Sequence, residues 1–233
     1  RIDDPIARIP TLAIHLSDDR TNFAPNLQNH CKAILSMDPE LVNLKPTAAE
    51  EEVAGRLHPV LLRMFSAQLG VSVDSIEDME LQLIDTQPST IGGAGGELLF
   101  SGRLDNLCSC YQATRAIIDY SSDAAALAQQ TGVHMVMLFD HEEVGSNSST
   151  GAGSPLLMQT IQRVVALLSK DASTHMTMKT LKQSFMVSID MAHAKHPNYA
   201  GKHDETMAPR INGGLVIKTN CNQRYATNGI SAA

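Results

Sequence analysis

Compact apolar runs that end in carboxylates constrain this chain more than any other feature. Met135-Val136-Met137-Leu138-Phe139 leads into Asp140-His141-Glu142-Glu143-Val144-Gly145-Ser146, and Phe185-Met186-Val187-Ser188-Ile189 leads into Asp190-Met191-Ala192-His193. A third stretch, Gly102-Arg103-Leu104-Asp105-Asn106, has the same character. Runs of this length and residue type are those of buried strands. In open α/β sheets, chemistry gathers beyond the carboxyl ends of the strands. Uncompensated carboxylates converging there are costly to bury, and a pair of divalent cations offsets that cost. The adjacent Glu142 and Glu143 suit one base plus one ligand. The pattern reads as a hydrolytic metal site.

The remaining periodicity predicts two regions. In the first, Ile9 to Leu16 reads as a strand opening at Pro10, a position where strands tolerate proline. Glu50 to Leu69 carries a helical stripe of Val53, Leu57, Leu61, Leu62, Phe65 and Leu69, with a kink or restart at Pro59 and an end at Gly70. Asp78 to Asp85 alternates as a half-buried strand. Thr86 to Gly96, with Pro88, Gly92, Gly93, Gly95 and Gly96, is the strongest punctuation and marks a domain boundary. Beyond it a helix from Asn106 to about Tyr120, a strand Val133–Phe139, a Gly- and Ser-rich segment, a helix over Leu156–Leu168, a strand Phe185–Ile189 and a strand Gly214–Lys218 follow in order. That alternation predicts an α/β fold, a central sheet sandwiched by helices.

Composition narrows the function. The 233 residues are 43% hydrophobic and 18% charged, which specifies a globular chain. A formal net charge of −7 argues against general nucleic-acid or membrane-surface binding. No apolar run approaches the roughly 20 residues of a membrane helix. Arg1-Ile2-Asp3-Asp4-Pro5 lacks the apolar core of a signal peptide, so the cytoplasm is the expected compartment; no initiator methionine is present. Cys31, Cys108, Cys110 and Cys221 do not make a secreted-type disulfide framework, and Cys108-Ser109-Cys110 lacks the usual zinc spacing. Neither Gly-rich segment fits G-x-G-x-x-G or a Walker sequence, and no Gly-x-Ser-x-Gly elbow is present. Nucleotide binding and serine hydrolysis are the poorer readings.

Read locally, each candidate also has a structural explanation. Asp105, just before an apolar helix, reads first as an N-cap. Glu142-Glu143 could be a solvated charge pair, but its place between an apolar run and a Gly-Ser turn points to a base beside a ligand. If the backbone turns helical after Asp190, His193 shares its face at i+3 and reaches substrate or metal; otherwise it is a hydrogen-bonded structural histidine. His196 and His203 have no stronger claim, and His141 reads as an exposed neighbour.

Taken together, these residues resemble the aspartyl aminopeptidases, a family of dinuclear zinc exopeptidases. The resemblance runs through Ile9 to Leu16, Asp85-Thr86-Gln87-Pro88, Gly102 to Leu107, Glu142 to Ser146, Ser184 to Tyr199 and Gln223-Arg224-Tyr225-Ala226. It implies two zinc ions per active site, with Asp105 bridging them, Glu143 on one and Asp190 on the other. It makes Glu142 the general base and assigns substrate contacts to His15, Glu142, Asp190, His193, Lys218 and Tyr225, with His15 reaching into a neighbouring subunit's site. The implied substrates are peptides with an N-terminal aspartate or glutamate. The implied assembly is a dimer built into a tetrahedral dodecamer, with residues 1–92 as a smaller, mainly β dimerisation domain and residues 93–233 as part of the catalytic domain.

One departure bears on function. The family completes its metal set with histidines from segments on either side, and none of the nine histidines here occupies those places by motif. The expectation is therefore a partial catalytic unit of a zinc aminopeptidase. The alternative is a non-catalytic oligomerisation scaffold or inactive fragment.

Overall fold

The structure is a computed structural model that describes residues 1–51, 55, 57–219 and 227–231. It divides into two compact units, Arg1–Gly102 and Arg103–Ala233. The division falls after the Gly-rich segment, not within it.

In the first unit the helix α1 (Pro59–Leu69) starts at the proline, whose missing N–H costs nothing at a helix N-terminus. The His58 ring accepts from the Val60 N–H at 3.3 Å, and Gly70, at φ 68°, closes the other end. The predicted stripe is thus a restart at Pro59; Val53 lies outside the described residues. Leu62 is fully buried and Ile76 nearly so. Beside this small core, Glu50 is 97% covered, its side chain reached by Arg63 at 2.7 and 2.9 Å and by the Thr47 N–H at 2.6 Å. Those bonds, the Arg63 pair foremost, hold its carboxyl down at about 2. The Gly-rich segment is the turn of an antiparallel hairpin, β1 (Thr90–Gly92) with β2 (Leu98–Phe100), with Gly93 and Gly96 at positive φ.

The second unit carries the predicted helices. They are α2 (Leu104–Ser122) and α4 (Leu156–Leu168); two helices not expected from the sequence, α3 (Ala124–Ala128) and α5 (Thr174–Lys182), join them. Asp123 caps α3 by accepting from the Ala125 and Ala126 N–H groups, and Ser173 caps α5 by accepting from Met176 N–H. Helices α4 and α5 pack together, and Val165 on α4 is buried.

The strands differ from expectation. Among the described residues the one sheet is the β1–β2 hairpin. Ile9–Leu16 is not a strand; it ends in a 3-10 turn, Ile14–Leu16, after an isolated antiparallel bridge between Arg8 and Ile34. Residues 78–85, 133–139, 185–189 and 214–218 carry no strand pairing, so the central sheet and the β-rich first domain are not formed as hydrogen-bonded ladders. A two-stranded hairpin closes through a local turn, whereas parallel strands joined through helices pair across long sequence separations. Apolar residues on these segments stay exposed, Phe185 at 75% and Leu215 at 97%.

Candidate functional site

Asp105 lies inside the span of α2 but not in helical geometry, with φ −85° and ψ 111°, after Arg103 in the left-handed region. The peptide bond Asp105–Asn106 is cis. The Asp105 side chain is exposed and caps nothing: α2 has no side-chain cap bond, so the N-cap role does not describe this residue. Its neighbour Asn106 faces the other acidic segment. Asn106 Nδ2 donates to the Ile189 carbonyl at 2.9 Å, one residue before Asp190. Asn106 Oδ1 is buried with no hydrogen-bond partner among the described residues.

Asp190 is half of an ion pair. Lys218 Nζ donates to Asp190 Oδ2 at 3.1 Å and to the Met191 carbonyl at 3.1 Å. Val216 and Lys218 are half-buried, while Leu215 and Ile217 between and beside them are exposed. A pocket of about 230 Å³ opens here, lined by His193, Met207, Val216 and Lys218 among others. His193 stands 5.4 Å, ring to ring, from His203. That ring accepts from the His196 N–H at 3.0 Å.

Glu142 and Glu143 sit in a turn of a loop closed by backbone bonds. Asp140 N–H donates to Thr150 O at 3.1 Å, Ser146 N–H to His141 O at 2.9 Å, and Gly153 N–H to Ser146 O at 2.9 Å. A Cβ at Gly151 would collide with the Ser146 carbonyl, which is why glycine stands there. His141, an exposed neighbour by its sequence, is exposed but not idle. Its Nδ1 lies 2.6 Å from Ser148 Oγ, and its φ of 60° turns the chain into the Glu142–Glu143 arm. A serine seven residues after the histidine, in a loop rich in glycine, was the available signal.

The side chains of Asp105, Glu142 and Glu143 are exposed and make no hydrogen bond or ion pair among the described residues. Carboxylate oxygens so disposed suit a divalent cation in chemistry. Geometry stops short: among the described residues no three His, Cys, Asp or Glu side chains form a set able to hold an ion. The structure draws Lys218 to Asp190, and the Asp105–Asn106 segment to the one before Asp190. It does not gather Asp105, Glu143 and Asp190 into one ligand group. His15 is exposed in the first unit's 3-10 turn, and Tyr225 lies outside the described residues.

Comparison with known proteins fixes the family. The model of aminopeptidase I zinc metalloprotease (M18) matches residues 1–233. The chain belongs to the M18 family. It is 44% identical over 253 residues to a probable aspartyl aminopeptidase of Ricinus communis, covering 100% of this chain and 51% of that protein. In the cryo-EM structure of the Ape4 and Nbr1 complex, a chain 33% identical superposes with a TM-score of 0.76, covering 99% of this chain and 44% of its own. The S. cerevisiae mApe1 dodecamer gives a TM-score of 0.66 at 26% identity, over 88% of this chain and 42% of its own. The M18 chain spans about half the length of the curated relatives it matches. Its path through space is that of an M18 α/β peptidase. No helix among its described residues is long and apolar enough to cross a membrane.

Proposed function

We propose that this chain is the central part of a metallo-aminopeptidase that removes N-terminal aspartate or glutamate from peptides. The observation that carries the reading is the state of the carboxylates. Asp105, Glu142 and Glu143 stand exposed at segment ends and unpaired among the described residues, in a chain matched along its length by a zinc metalloprotease family. Asp105, Glu143 and Asp190 are the residues that would hold two zinc ions, Asp105 shared between them. Zinc, when bound, supplies Lewis-acid polarisation and makes water more acidic. Glu142, unpaired among the described residues, takes the proton from water as general base. Lys218 recognises the acidic side chain: an ammonium has three N–H donors, and two are engaged by Asp190 and Met191. The third remains for a substrate carboxylate, and His193 and Tyr225 complete the contacts.

Residues 1–92 act as the dimerisation domain and 93–233 as part of the catalytic domain, whose central sheet forms in the assembled enzyme. The dodecamer among the structural relatives supports self-association. His15 then serves a neighbouring subunit's site, and the cytoplasm is the working compartment. Replacing Glu142 by Gln in the full-length protein lowers hydrolysis of an Asp-peptide roughly 100-fold while zinc stays bound. Wild-type turnover with zinc retained removes Glu142 from the base role. The ungathered carboxylates favour one other reading, an oligomerisation scaffold without turnover. Elemental analysis separates the two: about two zinc ions per subunit for the enzyme, none for the scaffold.

A further inference from the structure

The loop that carries Glu142 and Glu143 has no support from their side chains; the Glu142 carbonyl accepts from the Gly145 N–H at 2.9 Å. Both side chains are exposed and unpaired among the described residues, so the direction of the arm is set by what precedes it. What precedes it is His141, held at φ 60°. A non-glycine residue in the left-handed region persists where its surroundings over-determine it. The backbone bond from Asp140 to Thr150 closes the neck, and the bond from Ser146 to His141 closes the turn. Among the described residues, the tie between side chains of the two arms is the 2.6 Å contact of His141 Nδ1 with half-buried Ser148 Oγ. In one ring tautomer the hydroxyl donates to Nδ1, and in the other Nδ1–H donates to the hydroxyl.

We propose that Ser148 is a positioning residue: through His141 it fixes the arm that presents Glu142 to the reacting water. The proposal rests on the reading of Glu142 as base. Ser148 touches no reacting atom in this scheme. Removing its hydroxyl frees the His141 ring, and the arm then samples orientations in which the base misses its proton. Misplacement by a fraction of an ångström to an ångström is enough to lower turnover by one to two orders of magnitude. Substrate affinity, which belongs to Lys218 and His193, is not expected to change.

The experiment uses the full-length protein with Ser148→Ala, Ser148→Thr and Glu142→Gln. Two readouts are taken: hydrogen–deuterium exchange of peptides covering 139–154, and kcat and KM separately on an Asp-peptide. Ser148→Ala is expected to speed exchange in that segment about tenfold, the scale of one lost hydrogen bond. Its kcat falls roughly tenfold or more at constant KM, with zinc content unchanged. Ser148→Thr, which keeps the hydroxyl, restores both. Unchanged exchange in Ser148→Ala, a wild-type kcat, a loss that falls on KM, or an equal defect in Ser148→Thr each overturns the proposal. An inactive Glu142→Gln beside a fully active Ser148→Ala overturns the Ser148 role alone. A fully active Glu142→Gln overturns the base reading and this proposal with it.

Discussion

Lys218 shows how one side chain carries two duties. Its two bonds tie it to Asp190 and to the Met191 carbonyl, and it lines the same pocket as His193. A charge-assisted hydrogen bond contributes on the order of 1.5–3 kcal/mol. Lys218→Met in the full-length protein is therefore expected to slow cleavage of Asp-peptides about ten- to a hundred-fold more than that of neutral peptides. Comparing kcat/KM for the two substrates checks it; an equal loss on both places Lys218 in structural work. At this scale the sequence was readable for residue type and not for partner. The positions of Asp105, Glu142, Glu143 and Asp190 after apolar runs singled them out. Nothing in the letters separates a helix cap from a free carboxylate at Asp105, because that distinction lies in two dihedral angles. The Ser148 contact was hidden for the same reason: it depends on the loop folding back on itself.

Helices were legible as elements because their periodicity is local. The apolar positions of α2 and α4 recur at helical spacing, and Pro59 and Gly70 mark both ends of α1. The strands were legible as apolar runs, but their pairing is a property of distant segments, and among the described residues it is not made. The glycines of 92–96 announced a break, yet a break of that composition serves equally as a domain boundary or as a hairpin turn. Another element-scale feature, the brace between the end of the 47–51 turn and α1, has a pH signature. Glu50 is held at about 2 against an ordinary value of 4.5. A depressed carboxylate contributes stability that is present above the unfolded value and lost as pH falls through the folded one. Glu50→Gln should lower the melting temperature at pH 6, and the gap to wild type should close between pH 4.5 and 2. Melting curves across that range check it, and a gap independent of pH would show that packing, not charge, is what Glu50 provides.

For the whole molecule, surface is the governing quantity. The chain exposes 19453 Å², about twice the roughly 10,000 Å² expected of a folded monomer of 25.1 kDa. Many large apolar side chains are among those exposed, Leu215 at 97% and Phe185 at 75%, and exposed apolar surface marks faces made for contact. His15 gives this a functional test. His15→Phe in the full-length protein is expected to keep zinc and lose turnover. Mixing it with Glu142→Gln subunits should then return part of the activity, since some interfaces pair an intact base with an intact histidine. Assay after subunit exchange, with exchange itself verified by labelled subunits, decides it; no recovery removes His15 from a shared site. A last consequence concerns time. Each bond that shapes the Glu142 loop joins residues inside that loop, while the bond from Asn106 to Ile189 closes across most of the second unit. Short closures form early in folding and long ones late. The Glu142 loop is thus shaped before the Asp105 and Asp190 segments meet, so the nascent chain holds a finished tool without a workbench until the last long-range contact closes.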